Sequence, residues 1–475
     1  YRENKSPNGI VPTLKSFFGS VEKAAWVAWK EAKDTSNPGF DRVVEIEDSF
    51  GKYTVSRLPL TAEQVSSFYH VTSKEAFWPI LHGFKEKYNY DPVDWDTFRH
   101  VNQEFAQAAA AEADHGAAVW VHDYNLWLVP GILRQLRPDL RISFFHHTPF
   151  PAADMFNVLP WRGEIIDSLL ACDVVGFHIP RYASNFVSVV RSLRDVGQVP
   201  RIAVDPDFIS EGSALSDRTV PKQIETEERT VRLGVSPVGV DTGYIRSVAE
   251  RPETSERTES FLKAMGGRRL ILSVGRTDYT KGGAEQLLTF ERLLEKHPEY
   301  RETVKLLHVS VSANRNMTAY EEIQREIEEI AGRINGRFAT FERTPVSLIS
   351  NAIPFTDLVS YYRAADVVWI TPLADGMNLV CKEFIAARSD EDGVVVLSEF
   401  AGAAIELSSA ILTNPYSHKN MDHAIEAALT MSEENRRMRM KDLRRVVEGQ
   451  AITPREALSI VSQICEALQY AHDNG

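Results

Sequence analysis

Val367-Val-Trp-Ile370, followed by Thr371-Pro-Leu-Ala-Asp375-Gly-Met-Asn-Leu-Val-Cys-Lys-Glu383, is the stretch on which the fold of this chain turns. The apolar tetrapeptide reads as a buried parallel strand. A helical pattern follows from Asn378 to Ala387, and the turn between carries a carboxylate and a glycine, Asp375-Gly376. A strand that stops at a glycine turn and opens into a helix binds anions, because the first helical N–H groups lack partners and the macrodipole favours negative charge. Asp375 stands before the helix and Glu383 about two turns into it, so the two carboxylates suit hydroxyls at either end of a sugar nucleotide. By itself the pattern also fits an ordinary strand–helix turn.

The surrounding segments supply the context. Ala117–His122, Arg141–Phe145 and Asp173–Phe177 read as strands, separated by helices predicted over Leu126–Arg137 and Trp161–Leu170. Each strand ends on polar residues: Asp123, then His146 and His147, then His178. Further on, Arg232–Val235, Arg269–Val274, Val304–Val311, Val367–Ile370, Val394–Leu397 and Ala410–Thr413 read as strands. Between and after them, helices are predicted to about Lys296, over Thr318–Ile334, from Phe355 through Arg363, and over Met421–Met431, Glu433–Val447 and Pro454–His472. Alternation of this kind predicts an α/β chain with two doubly wound, Rossmann-like domains facing a central cleft. The predicted domains are residues 1–236 and 237–454, with 455–475 crossing back to the first. Residues 205–232 are polar and poorly periodic and read as an irregular, mobile excursion.

Before the first of these strands, Thr61 and Gln64 suggest a capping box opening a helix that carries Tyr69, Trp78 and His82. Its apolar positions Val65, Phe68, Val71 and Ala76 fit one helical face only roughly. Asn8-Gly9 reads as a turn, either an ordinary loop or one facing a ligand, and Thr13–Phe18 as the start of a helix.

Composition sets limits. The 475 residues suffice for two or three domains, and a formal net charge of −13 argues against general nucleic-acid binding and against anionic membranes. No apolar run is long enough to span a bilayer. Three dispersed cysteines, Cys172, Cys381 and Cys465, suggest neither a disulfide framework nor a zinc site, so a reducing cytoplasm is the simplest setting. His146, His147 and Asp123 lack the spacing of a metal site, and no cofactor is expected. An anionic substrate then requires locally placed cations. Arg276 and Lys281 flank a turn ending in Gly282-Gly283, which suits a diphosphate leaving group. Neither a Walker A loop, a G-x-G-x-x-G fingerprint nor a G-x-S-x-G elbow is present.

His122-Asp-Tyr124, Phe150-Pro151 after His147, Asp173-Val-Val-Gly-Phe-His178, Arg276-x-Asp-Tyr-x-Lys-Gly282, Gly332-Arg-Ile-Asn-Gly-Arg-Phe338, Asp375-Gly-Met-Asn-Leu-Val380 and Ser398-Glu-Phe-Ala-Gly402 occur in this order. Together they resemble the trehalose-phosphate synthase family of retaining glycosyltransferases over nearly the whole chain. The resemblance implies a GT-B fold. It also implies that Arg276 and Lys281 bind the donor diphosphate, and that Asp375 with Gly376, Met377, Asn378 and Leu379 holds glucose. Glu383 would take the ribose diol with Val380 nearby, His147 the transferred glucose, and Asp123 acceptor or sugar hydroxyls. Gly9, Tyr69, Trp78 and Arg315 fall on the acceptor side. The family's first strand, with a further phosphate-binding arginine, is not evident and is expected upstream of Tyr1 or in a disordered stretch.

Three departures from the trehalose branch are His122-Asp-Tyr-Asn-Leu126 for H-D-Y-H-L, His146-His-Thr-Pro-Phe-Pro151 for L-H-I-P-F-P, and Gly176-Phe-His-Ile-Pro-Arg181 for G-F-H-T, several of them on the acceptor side. They resemble the branch that moves glucose from ADP-glucose to sn-glycerol 3-phosphate in osmolyte synthesis under salt stress. Glucose 6-phosphate as acceptor stays open, as does an inactive regulatory member, although intact Arg276, Lys281, Asp375 and Glu383 argue against decay. A homo-oligomer stays open too.

Overall fold

Strand–helix alternation becomes two parallel sheets in the computed structural model, which describes residues 18, 21, 23–48, 51–204, 206, 209–311 and 318–449. Ahead of both sheets, β1 (Ala25–Glu31), β2 (Val43–Asp48) and β3 (Gly51–Leu60) form a small sheet in the order β1-β3-β2. The sequence reading missed it. Most residues of β1 and β2 are exposed or only partly buried, so neither strand shows the clean alternation of a core-facing strand.

The first large sheet runs β4-β5-β6-β10-β9, built from β4 (Ala118–His122), β5 (Arg141–His146), β6 (Val174–Phe177), β9 (Gln223–Glu225) and β10 (Thr230–Val235). All pairs are parallel except β9 with β10. Between β6 and β9, β7 (Arg201–Ala203) and β8 (Thr219–Pro221) form an antiparallel ribbon. The stretch expected to be an irregular excursion therefore holds two short strands, β8 and β9, and the start of β10. Three-residue strands are too short to leave a periodic signal.

The second large sheet is parallel throughout, in the order β13-β12-β11-β14-β15-β16. Its strands are β11 (Arg269–Arg276), β12 (Val304–Val311), β13 (Val346–Ile349), β14 (Val367–Ile370), β15 (Val394–Ser398) and β16 (Ile411–Thr413). Every residue of β14 and β15 is buried, as expected of strands covered on both faces. Helices Gly283–Lys296 and His418–Thr430 pack together on one face, while Thr242–Ala249, Phe355–Ala364 and Leu379–Ala387 cluster on the other. Trp369 is fully buried in this core, and truncating it to alanine would cost roughly 3–5 kcal/mol.

Two helices differ from expectation. The helix predicted from Leu126 starts at Val129, after a 3₁₀ turn at Tyr124–Leu126. Pro130 thereby falls in the first turn, where its missing N–H breaks no hydrogen bond. Further upstream, the Thr61–Gln64 capping box forms as read, with hydrogen bonds of 2.9 and 3.1 Å. Beyond it, Ser66–Phe77 is a π-helix. Its wider i→i+5 turn explains why the apolar residues there fit an α-helical face only roughly. The expected helices at Thr13–Phe18 and Pro454–His472 lie outside the described residues.

Candidate active site

The carboxyl ends of the two large sheets face each other, and the loops there carry the chemistry. At the end of β11, Arg276 is followed by Asp278, whose carboxylate accepts from Thr280 N and Oγ1 at 2.9 Å each and fixes the turn. Gly282 closes that turn at φ +69°, and a Cβ there would stand 2.3 Å from Thr371 O. Only glycine fits, because both the backbone conformation and the approach of the β14 loop exclude a side chain.

In the β14 loop, Lys281 Nζ donates to Asp375 Oδ2 at 2.7 Å, and Asn378 Nδ2 donates to the same oxygen at 3.1 Å. Asn378 adopts φ +85° and caps the next helix by accepting from Cys381 N at 3.2 Å. Among the described residues, the backbone N–H groups of Gly376, Met377, Asn378 and Leu379 find no acceptor. Four unpartnered donors at a buried helix start make a nest, a geometry suited to an anion or a hydroxyl. The nest sits at the junction of the halves. A Cβ on Gly376 would stand 2.3 Å from His147 O, and Tyr182 Oη donates to Asp375 O at 3.2 Å.

On the facing sheet, Asp123 follows β4 at φ +67°, a strained position for a non-glycine residue. Its carboxylate accepts from His147 N at 3.3 Å, and burial pushes its carboxyl up to about 6. His147 is within 3.1 Å of His122 through their ring nitrogens, and burial together with the neighbouring His178, His122 and His146 holds it well below the usual histidine range. Trp78 reaches across, its Nε1 donating to Asp278 Oδ1 at 3.4 Å. Arg276, exposed to the cleft, lies 5.6 Å from the Trp78 ring and pairs with no carboxylate among the described residues. A narrow cavity of about 30 Å³ lies behind this loop, lined by Arg276, Asp278, Lys281 and Asn378 among others.

Asp123, His147, Trp78, Arg276, Lys281 and the Asp375–Leu379 loop thus converge on one cleft. Tyr69 borders it on the π-helix. Glu383 stands apart: it is buried on the helix Leu379–Ala387, accepts from Tyr362 Oη at 2.8 Å, and burial raises it to about 7. Val380 is partly buried on the first turn of the same helix. Gly9 and Arg315 lie outside the described residues.

The sequence reading missed Asp278 and Lys74. Lys74 lies on the π-helix, 3.9 Å from the Trp78 ring centre. Among the described residues no group of three or more His, Cys, Asp or Glu side chains is placed to hold a metal ion, and no helix is long and apolar enough to cross a membrane.

Paired Rossmann-like sheets with a phosphate-suited nest on one side and carboxylate and imidazole groups on the other define a GT-B glycosyltransferase. The chain belongs to glycosyltransferase family 20, whose family model matches residues 1–454. It is 49% identical over 93% of its length to a glucosylglycerol-phosphate synthase of Synechocystis sp., covering 88% of that protein. A trehalose-6-phosphate synthase of Mycobacterium sp. is 37% identical, also over 93% of this chain and 88% of that one. The solved trehalose-6-phosphate protein from E. coli bound with UDP-2-fluoro glucose matches with a TM-score of 0.85 at 26% identity, covering 98% of this chain and 97% of that one. The enzyme class and fold expected from the sequence are those found.

Proposed function

We propose that this glycosyltransferase moves glucose from ADP-glucose to sn-glycerol 3-phosphate, giving 2-O-(α-D-glucopyranosyl)glycerol 3-phosphate and ADP. The observation that carries this reading is the 49% identity to the Synechocystis glucosylglycerol-phosphate synthase over nearly the whole chain. The N–H groups at Gly376–Leu379 and the guanidinium of Arg276, both without a partner among the described residues, support a nucleotide-sugar donor seated on the second sheet.

Arg276 and Lys281 neutralise the diphosphate as its charge grows, and the Gly376–Leu379 backbone with Asp375 orients glucose. Glu383 takes the ribose diol, His147 faces the transferred sugar, and Asp123 positions a hydroxyl. The acceptor oxygen attacks C1 from the face that the leaving phosphate occupies. The C1–O bond to phosphate breaks, the new C1–O bond forms, and the acceptor proton passes to the departing phosphate oxygen. The α-configuration is retained without a covalent enzyme intermediate, so the protein contributes positioning and electrostatics, with no metal in the scheme.

A matrix of ADP-, UDP- and GDP-glucose against glycerol 3-phosphate and glucose 6-phosphate tests the reading through nucleoside diphosphate release. Proton NMR of the product reports the anomer. Turnover confined to glucose 6-phosphate would establish the second reading, a trehalose-6-phosphate synthase, which the 37% identical relative favours. A β-linked product would overturn the retaining mechanism.

A further inference from the structure

Lys74 is the one charged side chain of the π-helix that is buried, at 8% exposure. Its ammonium lies 3.9 Å from the centre of the Trp78 ring and 5.8 Å from that of Tyr69. Among the described residues it makes no hydrogen bond or ion pair. The charged groups that face it come from two directions: Asp123 at the end of β4, and Arg276, Asp278 and Lys281 at the end of β11. Asp278 is committed to Thr280 and Trp78, and Lys281 to Asp375. Lys74 and Arg276 are therefore two cations on opposite walls of the cleft, neither paired with a carboxylate among the described residues.

An ammonium withdrawn from water without a counter-ion is costly, and cation–π contact recovers only part of that cost. The arrangement is complementary to an anion entering between the walls. We propose that Lys74 is a phosphate-binding residue of this cleft and holds the phosphate of the acceptor. The inference rests on the reading that the acceptor is phosphorylated. The donor's own phosphate shares the same chemistry, but the donor nest lies on the second sheet. Lys74 belongs to the first half, beside Asp123, a carboxylate able to orient an acceptor hydroxyl.

The position has a pH consequence. Burial, then the charge of Arg276, pulls the Lys74 ammonium down to about 8. A bound phosphate favours the ammonium form, so acceptor affinity falls as pH rises through about 8.

The test is steady-state kinetics of wild type, Lys74→Met and Lys74→Arg, with donor and acceptor varied separately and donor hydrolysis measured without acceptor. Methionine keeps the packing against Trp78 and removes the charge. The expected result for Lys74→Met is an acceptor KM raised at least about tenfold, as for loss of one charge-assisted hydrogen bond, with donor KM and donor hydrolysis within about twofold of wild type. An unchanged acceptor KM overturns the proposal, and a rise in donor KM alone reassigns Lys74 to the donor phosphate and equally overturns it. Should Lys74→Met fail to fold, Lys74→Arg decides. It should keep a near-normal acceptor KM and lose the alkaline rise, whereas persistence of that rise counts against Lys74. If wild type uses glucose 6-phosphate in place of glycerol 3-phosphate, the proposed function falls, and Lys74 is judged on that phosphorylated acceptor. If no phosphorylated acceptor serves, both fall.

Discussion

Lys281 Nζ and Asp375 Oδ2 stand 2.7 Å apart and tie the loop after β11 to the loop after β14. Both side chains are largely shielded, at 21% and 14% exposure, and Asn378 donates to the same carboxylate. Burial alone would raise the Asp375 carboxyl, but Lys281 and Asn378 outweigh it and hold the group below the usual carboxylate range. The proposed donor site is thus preorganised around an ion pair. In the proposed role, a diphosphate arriving there would compete with Asp375 for the ammonium of Lys281, whereas Arg276 forms no ion pair among the described residues.

Loss of either cation should therefore be read in the chemical step. Arg276→Ala and Lys281→Met are each expected to cost on the order of 3 kcal/mol of transition-state stabilisation, roughly a hundredfold in kcat/KM for the donor. Circular dichroism should show an unchanged fold. Near-normal turnover of Arg276→Ala would remove that residue from the proposed diphosphate role.

Gly376→Ala tests the contact between the halves. The added methyl would stand 2.3 Å from His147 O and 3.1 Å from Thr148 Cα, both backbone atoms with little room to yield. The substitution should cost about 1–3 kcal/mol in denaturant titration and lower activity more than it lowers stability, because it displaces the nest itself. Full activity in the alanine variant would mean that the loops separate freely.

Glu383 gives a pH signature. Its folded-state value, raised by burial to about 7, lies above the ordinary 4.5. Between those values the native protein keeps a proton that the unfolded chain has released. This contribution to stability is full below about 4.5 and is lost as pH rises through about 7. Urea titrations at pH 5.5 and 8 should show wild type losing stability relative to Glu383→Gln on going to pH 8. Parallel pH dependence in the two proteins would refute the assignment.

Lys382 and Glu406 form an ion pair with side-chain exposures of 0% and 1%, and Lys382 Nζ also donates to Val238 O at 2.7 Å. Glu406→Ala leaves a buried ammonium without its carboxylate and should destabilise the protein by roughly 3–5 kcal/mol. The denaturant midpoint reports it. A change below about 1 kcal/mol would imply that water reaches Lys382.

Much of the architecture was legible along the chain. The continuous apolar runs of β14 and β15 signal burial on both faces. Legibility failed for strands that were short or solvated, and also for the long helices Trp95–Glu112, Pro180–Leu193 and Pro252–Met265, which the sequence reading did not foresee. Strands β8 and β9 span three residues each, and β1 and β2 present mixed faces. Lys74 was invisible for a different reason, since nothing local distinguishes a buried functional lysine from one whose ammonium reaches solvent along an apolar stem.

The sequence by itself determined the parallel α/β alternation, the family, and the composition of the Asp375–Leu379 loop, because strand burial, helix periodicity and glycine turns are local properties. Only the tertiary structure decided how the charges are shared. Lys281 is paired with Asp375 across 94 residues, Trp78 meets Asp278 across 200, and Lys74 and Arg276, both against the Trp78 ring, form no ion pair with a carboxylate among the described residues. The physical reason is that ionic interactions depend on spatial distance and on the water excluded around them. Both are set by how the two sheets meet, not by any neighbourhood in the chain.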